Sequence, residues 1–227
     1  KGESFHTSRW DYNIDLKDKR VGIIGAGATA VQVVPGIAKT VKELYVFQRT
    51  PSSVDVRGNG PTDMDWFERE VKEPGWQQKW LENFTANQAI GLRMPKEDLV
   101  QDGWTDLSRR IRSRIFSLPF YKMTPKNMMA AFEDLDHEKM NEIRSRADTV
   151  VEDRETAQNL KAWYRQLCKR PCFHDEYLQA YNEPGTNLVD TNGKGVEGVT
   201  KKGVVVAGKE YELDCIIYAS GFEVGTE

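Results

Sequence analysis

The segment from residue 25 to residue 30 has the residue types and the spacing of a dinucleotide site, Gly25-Ala-Gly27-Ala-Thr-Ala30. In such a pattern the first glycine permits a tight turn, the second lets the backbone approach a pyrophosphate, and the last small residue lets a helix pack on a strand. The free amides of the first helical turn would face the ligand, where the helix dipole favours negative charge. The candidate cofactor-binding residues of this turn are Gly25, Ala26, Gly27, Ala28, Thr29, Ala30 and Gln32.

The residues that follow the next predicted strand indicate which dinucleotide would bind. A site for NAD usually carries Asp or Glu about 20 residues beyond the glycines, where the carboxylate bonds the ribose 2′-hydroxyl. Here the chain reads Gln48-Arg49-Thr50-Pro51, without an acid. The guanidinium of Arg49 suits a 2′-phosphate, and the hydroxyl of Thr50 adds a donor. We therefore predict NADP rather than NAD, the alternative being that Arg49 is a solvated charge at a strand end.

The elements around the glycine turn are those that a dinucleotide fold requires. An apolar run over 21–24 predicts a strand, and a second strand is predicted over 44–48, within a unit of about 30 residues. Between them the apolar residues take helical spacing, which predicts a helix with one buried face; these residues are Ala30, Val33, Val34, Ile37 and Ala38. An ordinary glycine turn would not need this context, so we predict an α/β, Rossmann-like fold.

Composition limits the classes of function. The 227 residues carry a net charge of −3 and no basic tail, which argues against nucleic-acid binding by bulk electrostatics. No apolar run approaches the ~18 residues of a membrane span, and no signal peptide is evident. The three cysteines are an odd number and form no disulfide framework, so a reducing, cytoplasmic setting is expected.

The rest of the chain predicts two further regions. Residues 62–166 are rich in charge and predict helices around 76–90, 104–118, 125–133, 136–147 and 155–166. Residues 187–219 predict short strands, part of them a β-meander. The predicted fold class is therefore a three-layer, Rossmann-like NADP-binding domain with a parallel sheet, a β-meander and a large α-helical insertion. Its predicted bounds are a linker over 1–19, the NADP-binding domain over 20–61 and 167–227, and the insertion over 62–166.

Some reactive residues stay ambiguous on chemistry alone. His6 and Trp10 lie before the first predicted strand and are typical of a linker packed on a domain. The adjacent cations Lys169 and Arg170 suit either a phosphate or the solvent. The residues Cys168, Cys172 and His174 match no ordinary zinc spacing, so no metal site is predicted.

Taken together, these segments resemble the Baeyer–Villiger monooxygenases, flavin enzymes of the flavin-containing monooxygenase superfamily. The signature of that family is Phe-x-Gly-x-x-x-His-x-x-x-Trp-(Pro/Asp). Gly2, His6, Trp10 and Asp11 match it, and the leading Phe would precede residue 1. The family's second glycine fingerprint, which binds NADPH, is similar to residues 25–30. The resemblance covers essentially the whole chain.

The resemblance implies roles for residues outside the glycine turn. The family places a 2′-phosphate site where residues 48–51 stand, and a lysine of a segment similar to Lys169-Arg170-Pro171 contacts the same phosphate. The arginine of that segment stabilises the flavin peroxide anion and positions the nicotinamide. Residues 219–222 are similar to the Ala-Thr-Gly element that returns the chain to the flavin domain, although Ser220 replaces the Thr. The implied cofactor-binding residues are thus Arg49, Thr50, Lys169, Ser220 and Gly221, and the implied catalytic residues are Arg170, His6, Trp10 and Asp11, with His6 as a hinge or positioning residue.

The resemblance also implies what the parent enzyme does. That enzyme would use NADPH, FAD and O2 to convert a ketone into an ester or lactone. The family's first glycine fingerprint, for FAD, is absent from these 227 residues. We therefore expect the chain to be the NADPH-binding portion, inactive without an FAD-binding domain of the same parent chain. The alternatives are an enzyme that oxidises nitrogen or sulfur, which Trp10-Asp11 disfavours, and a non-catalytic NADP-binding module.

Overall fold

The computed structural model describes residues 2–88, 95 and 97–222. It divides into two compact units, one formed by Lys1–Asp55 with Glu142–Glu227 and the other by Val56–Asn141. By this division residues 142–166, which the sequence pattern assigned to the insertion, lie in the first unit. The domain bounds of the whole protein stay a prediction.

The first unit is built on a parallel sheet of five strands in the order β1-β10-β2-β3-β6. A three-stranded antiparallel meander, β7-β8-β9, and a short parallel pair, β4-β5, complete its β structure. The strands are β1 (Glu3–His6), β2 (Arg20–Ile24), β3 (Glu43–Gln48), β4 (Val54–Asp55), β5 (Cys172–Phe173), β6 (Thr186–Asp190), β7 (Gly198–Val199), β8 (Gly203–Val206), β9 (Lys209–Glu212) and β10 (Cys215–Tyr218).

Six α-helices accompany these strands in the described part of the chain. They are α1 (Ala28–Ile37), α2 (Met64–Glu70), α3 (Trp76–Gln88), α4 (Gly103–Phe116), α5 (Pro125–Val150) and α6 (Arg154–Asn159). The division between the two units falls within α5. Among the described helices, none has both the length and the apolarity that crossing a bilayer requires.

The alternation of side chains along the strands produces three layers. In β2 and β3, residues such as Val21, Ile23 and Val46 are buried on one face, in a cluster with Val31 and Val34 of α1. Their neighbours point to the opposite face. There Phe47 and Ile216 pack with Val204, Val206 and Leu213 from the meander region. The three-layer, Rossmann-like fold predicted from the sequence is thereby confirmed.

The second unit has a small core of its own. Leu107, Ile111 and Ile115 recur at helical spacing along α4 and pack with Leu135 of α5. An ion pair joins the same two helices, since Nζ of the buried Lys139 lies 2.9 Å from a carboxylate oxygen of the half-buried Asp106. This unit therefore has the helical character that the sequence pattern predicts for it.

Three elements differ from the sequence predictions. The helices expected over 125–133 and 136–147 are the single helix α5, because no Gly or Pro stands between them. The helix expected over 155–166 ends at Asn159; Leu160 and Ala162 are both buried two residues apart, a spacing that a helix face does not provide. Residues 3–6, expected in a linker, form the edge strand β1 and pair with β10.

One ion pair fixes the start of β2 to the start of β10. Oδ2 of Asp214 accepts hydrogen bonds from the backbone N–H of Arg20 at 2.9 Å and from its Nε at 3.2 Å, while Oδ1 accepts from Nη2 at 2.9 Å. These hydrogen bonds from the side chain and backbone of Arg20 lower the pKa of Asp214 from 3.8 to about 2. The carboxylate consequently favours the folded state only while it is ionised.

This pair predicts a pH dependence of stability. Because the pKa of Asp214 is lowered on folding, its contribution is complete above about pH 4 and is lost as the pH falls towards about 2. We expect Asp214→Asn to lower the free energy of unfolding measured with urea at neutral pH, and the difference from wild type to shrink across that acid range. Asp134→Asn, at an exposed position, is the control. A difference independent of pH would contradict this assignment.

Candidate functional site

A cavity of about 450 Å³ opens where the carboxyl ends of four neighbouring strands meet. Ligands of open α/β sheets bind in such crevices, beyond the carboxyl ends of parallel strands. Segments that follow β2, β3, β6 and β10 line it, together with one side chain from the segment before β5. The lining residues are Ile24, Gly25, Ala26, Gly27, Ala28, Thr29, Phe47, Arg49, Thr50, Ser52, Lys169, Thr191, Gly195, Val196, Ala219, Ser220 and Gly221.

The glycine turn has the geometry that its spacing predicts. Gly25 has φ +123°, and a Cβ added there would lie 2.3 Å from the carbonyl oxygen of Ala219. A Cβ on Gly27 would meet no atom within 4 Å, so that face of the turn is open. Ala30 is fully buried against the sheet and does not line the cavity. The first glycine thus serves the fold, and the second leaves space for a ligand.

Helix α1 begins directly at the cavity. Its cap residue, Gly27, has no side chain to occupy the free amides of the first turn. Ala28 and Thr29 of that turn line the cavity, where those amides and the helix dipole favour an anion. Gln32 lies one turn further along, exposed, and its Nε2 donates to the carbonyl of Ala28 at 3.0 Å. The structure therefore does not bring Gln32 to the cavity.

Two cations from distant parts of the sequence face the same cavity. Nζ of Lys169 donates to Oγ1 of Thr50 at 2.6 Å, which joins the segment before β5 to the end of β3. Arg49 is exposed next to Thr50, and its carbonyl accepts from the N–H of Gly193 at 3.1 Å. No acidic side chain lines the cavity among the described residues. The electrostatics favour an anionic group between these cations.

Seven lining residues are not among the predicted site residues, namely Ile24, Phe47, Ser52, Thr191, Gly195, Val196 and Ala219. Oγ of Ser52 donates to the carbonyl of Ala26 at 2.6 Å, which ties the chain after β3 to the glycine turn. Oγ1 of Thr191 donates to the carbonyl of Gln48 and accepts from the N–H of Gly195, both at 2.9 Å. The sequence did contain a signal for the loop over 191–196. It follows a predicted strand, and the carboxyl ends of parallel strands lie at the same edge of a sheet.

The signature residue His6 lies beside the end of β10. Its Nδ1 accepts from the backbone N–H of Ser8 at 3.1 Å, so its Nε2 carries the proton and donates to the carbonyl of Gly221, also at 3.1 Å. This bond joins the ends of two neighbouring parallel strands, β1 and β10. Ser220 and Gly221 line the cavity, whereas His6 does not.

The other residues implied to be catalytic lie outside the cavity lining. Trp10 packs edge-to-face on Phe5, with ring centroids 4.9 Å apart. Oδ1 of Asp11 accepts from the backbone N–H of Asn13 at 2.9 Å, which closes a local turn. Arg170 is exposed immediately after Lys169. The structure thus gathers most of the predicted cofactor-binding residues and leaves these three apart from them.

The segment around Arg170 also contains the residues Cys168, Cys172 and His174. Cys172 is buried, and this burial raises the pKa of its thiol. Within the described ranges, no group of three or more His, Cys, Asp or Glu side chains is arranged to hold a metal ion.

Several known proteins similar to this chain are named monooxygenases. No family model matches the sequence. The chain is 53% identical over 237 aligned residues to a Baeyer–Villiger monooxygenase of Stachybotrys chlorohalonatus, with 100% of this chain and 37% of that protein covered. It is 49% identical to the neopentalenolactone D synthase of Streptomyces avermitilis, with 98% and 38% covered. The chain therefore spans little more than a third of the length of these relatives.

Solved structures that superpose on this chain also include a monooxygenase, and again only part of each solved chain is covered. A polycyclic ketone monooxygenase from Thermothelomyces thermophila superposes with a TM-score of 0.80 at 41% identity, over 97% of this chain and 37% of that one. A complex of the protein OTEMO with FAD and NADP superposes with a TM-score of 0.70 at 29% identity, over 98% of this chain and 42% of that one. The fold and the sequence thus match the same part of these proteins.

The same substitution at the two glycines of the turn is expected to change stability by very different amounts. We expect Gly25→Ala to lower the free energy of unfolding by about 2 kcal/mol or more, because it combines positive φ with a clash against a carbonyl. Gly27→Ala, the matched control, should change it by about 1 kcal/mol or less, since its Cβ meets open space and its φ is −80°. Urea unfolding of both variants measures this. Equal destabilisation by the two changes would show that the turn differs from this description.

Proposed function

We propose that this chain, which over its whole length belongs with a segment of the Baeyer–Villiger monooxygenases, is the part of such an enzyme that binds NADPH. The observation that carries the proposal is the placement of two cations at one cavity. Arg49 and Lys169 face it from segments about 120 positions apart, and Lys169 is hydrogen-bonded to Thr50. None of the described residues that line the cavity is acidic. This arrangement suits the 2′-phosphate that distinguishes NADPH from NADH.

The described residues fit the remainder of the cofactor as well. The open face of Gly27 and the free amides at Ala28 and Thr29 suit the pyrophosphate. Ser220 and Gly221 line the cavity at the end of β10, next to the glycine turn. When bound, NADPH supplies a hydride. The role of the chain's residues is to bind the phosphates and to fix the direction in which the dinucleotide lies.

The proposed reaction of the whole enzyme follows from the family. A ketone, O2, NADPH and a proton would give an ester or lactone, NADP⁺ and water, with FAD as the second cofactor. A complex of OTEMO with FAD and NADP is among the structures of matching fold, which supports this pair of cofactors. We propose that FAD is bound mainly by parts of the parent enzyme other than this chain, because the described cavity carries a single glycine turn.

Arg170, His6, Trp10 and Asp11 are proposed to act in that whole enzyme. Arg170 is an exposed cation, and a fixed guanidinium stabilises negative charge that develops during a reaction. The Nε2–H of His6 bonds the carbonyl of Gly221, so His6 is proposed to position the two strand ends rather than to transfer a proton. Trp10 and Asp11 hold the local structure of the same segment.

Cofactor titrations test the proposal directly. We expect the protein to bind NADPH more tightly than NADH, and both Arg49→Ala and Lys169→Ala to weaken NADPH binding by about 10-fold or more, since each removes a charge-assisted hydrogen bond. NADH affinity should change much less, because NADH lacks the 2′-phosphate. Isothermal titration calorimetry of both cofactors with each variant gives these affinities.

Lys17→Ala provides the control for the loss of a positive charge. Lys17 is exposed and precedes β2, so it lies towards the opposite edge of the sheet. The Lys17→Ala substitution should leave the affinities for NADPH and NADH unchanged. Equal binding of NADPH and NADH by the wild-type protein would contradict the proposal. So would an Arg49→Ala variant and a Lys169→Ala variant that both retain the wild-type preference.

A further inference from the structure

Tyr164 connects two of the segments that form the cavity. Its hydroxyl donates to the carbonyl of Pro51 at 3.1 Å and accepts from the backbone N–H of Ser53 at 3.0 Å. Both partners belong to the stretch that follows Arg49 and Thr50. The hydroxyl thus donates one hydrogen bond to the backbone of residues 51–53 and accepts one from it. The ring is fixed relative to the end of β3.

The same ring lies under the ammonium group of Lys169. Nζ of Lys169 is 4.7 Å from the ring centroid, within the range of a cation–π contact. That Nζ also donates to Oγ1 of Thr50. Lys169 is otherwise an exposed side chain with a flexible four-carbon stem, which would sample many rotamers in water. The ring and the hydroxyl together hold its charge at the edge of the cavity.

Backbone pairing makes this arrangement rigid. Residues 54–55 and 172–173 form the parallel pair β4-β5, and the N–H of Cys172 donates to the carbonyl of Ser53 at 3.0 Å. Burial also raises the pKa of Tyr164, so its hydroxyl keeps the proton that it donates to Pro51. The segment that carries Lys169 is therefore attached to residues 51–53, which follow β3, on both sides of the lysine: at Tyr164 and at Cys172.

We propose that Tyr164 is a positioning residue for cofactor selectivity. It holds the ammonium of Lys169 next to the position that a 2′-phosphate would occupy. This inference rests on the proposed function, because it requires that Lys169 meets that phosphate. Tyr164 is not among the residues that line the cavity, so its proposed effect on the cofactor passes through Lys169. Preordering a flexible cation improves binding because less rotamer freedom is lost when the ligand arrives.

The readout that separates this role from a merely structural one is the ratio of the NADH and NADPH dissociation constants. A structural defect at Tyr164 would weaken both cofactors together. Loss of the cation–π contact should instead weaken NADPH alone, and we expect the ratio to fall about 2- to 5-fold in Tyr164→Leu. Trp163→Leu is the matched control, since Trp163 is the adjacent exposed aromatic and stacks on Arg144 instead, at 4.4 Å.

A double-mutant cycle shows whether the effect passes through Lys169. In the Lys169→Ala background, Tyr164→Leu should cause no further loss of selectivity, because the group that it positions is gone. The inference is overturned if Tyr164→Leu weakens NADPH and NADH by the same factor, if it leaves the ratio unchanged, or if its effect persists undiminished in the Lys169→Ala background. Failure of the proposed function is distinguishable, since the wild-type protein itself would then show no preference for NADPH.

The wild-type protein provides a test even if Tyr164→Leu fails to fold. The ring current of Tyr164 should move the ε-methylene protons of Lys169 upfield of those of solvated lysines in the NMR spectrum. An ordinary lysine shift for Lys169 would mean that the ring does not lie against this side chain, and would overturn the inference without any variant.

Discussion

The close approach of the glycine turn to the end of β10 is the constraint on which the site depends. A Cβ on Gly25 would lie 2.3 Å from the carbonyl oxygen of Ala219, and the N–H of Ala219 donates to the carbonyl of Ile24 at 2.9 Å. Only glycine satisfies both the contact and the positive φ. This contact brings the amino end of α1 and the chain after β10 to the same crevice, so the glycine turn faces Ser220 and Gly221.

Selectivity has a different physical origin from the fold. The turn and the helix end would accept any dinucleotide pyrophosphate, because backbone amides do not distinguish NADPH from NADH. Discrimination requires charge at the ribose, and its proposed source is Lys169, which is hydrogen-bonded to Thr50 across 119 positions of sequence. Tyr164 and the β4-β5 pair hold these segments together. Under the proposed function, packing of the segment that carries Lys169 would therefore determine which cofactor the segment at Arg49 and Thr50 selects.

The parts of this site that depend on local sequence patterns could be predicted from the sequence. The parts that depend on contacts between distant segments could not. Gly25 and Arg49 each come directly after one of two consecutive predicted strands, so spacing alone placed both at one edge of a sheet. The position of Lys169 follows from the tertiary fold, and only the family resemblance indicated it. Strand β1 was missed because four residues that pair with a strand 212 positions away carry no local signal. Gln32 stays a prediction, although its side chain is exposed on α1 and does not line the cavity.

The most direct test of the central claim is the ³¹P resonance of the 2′-phosphate of NADP⁺, followed as a function of pH in the presence of the protein. The second pKa of a phosphate monoester lies near about 6. Two cations at the site favour the dianion, so the account predicts that binding lowers this pKa by about one unit or more. A 2′-phosphate that titrates in the complex as it does in free NADP⁺ would show that Arg49 and Lys169 do not meet it, and would contradict the account.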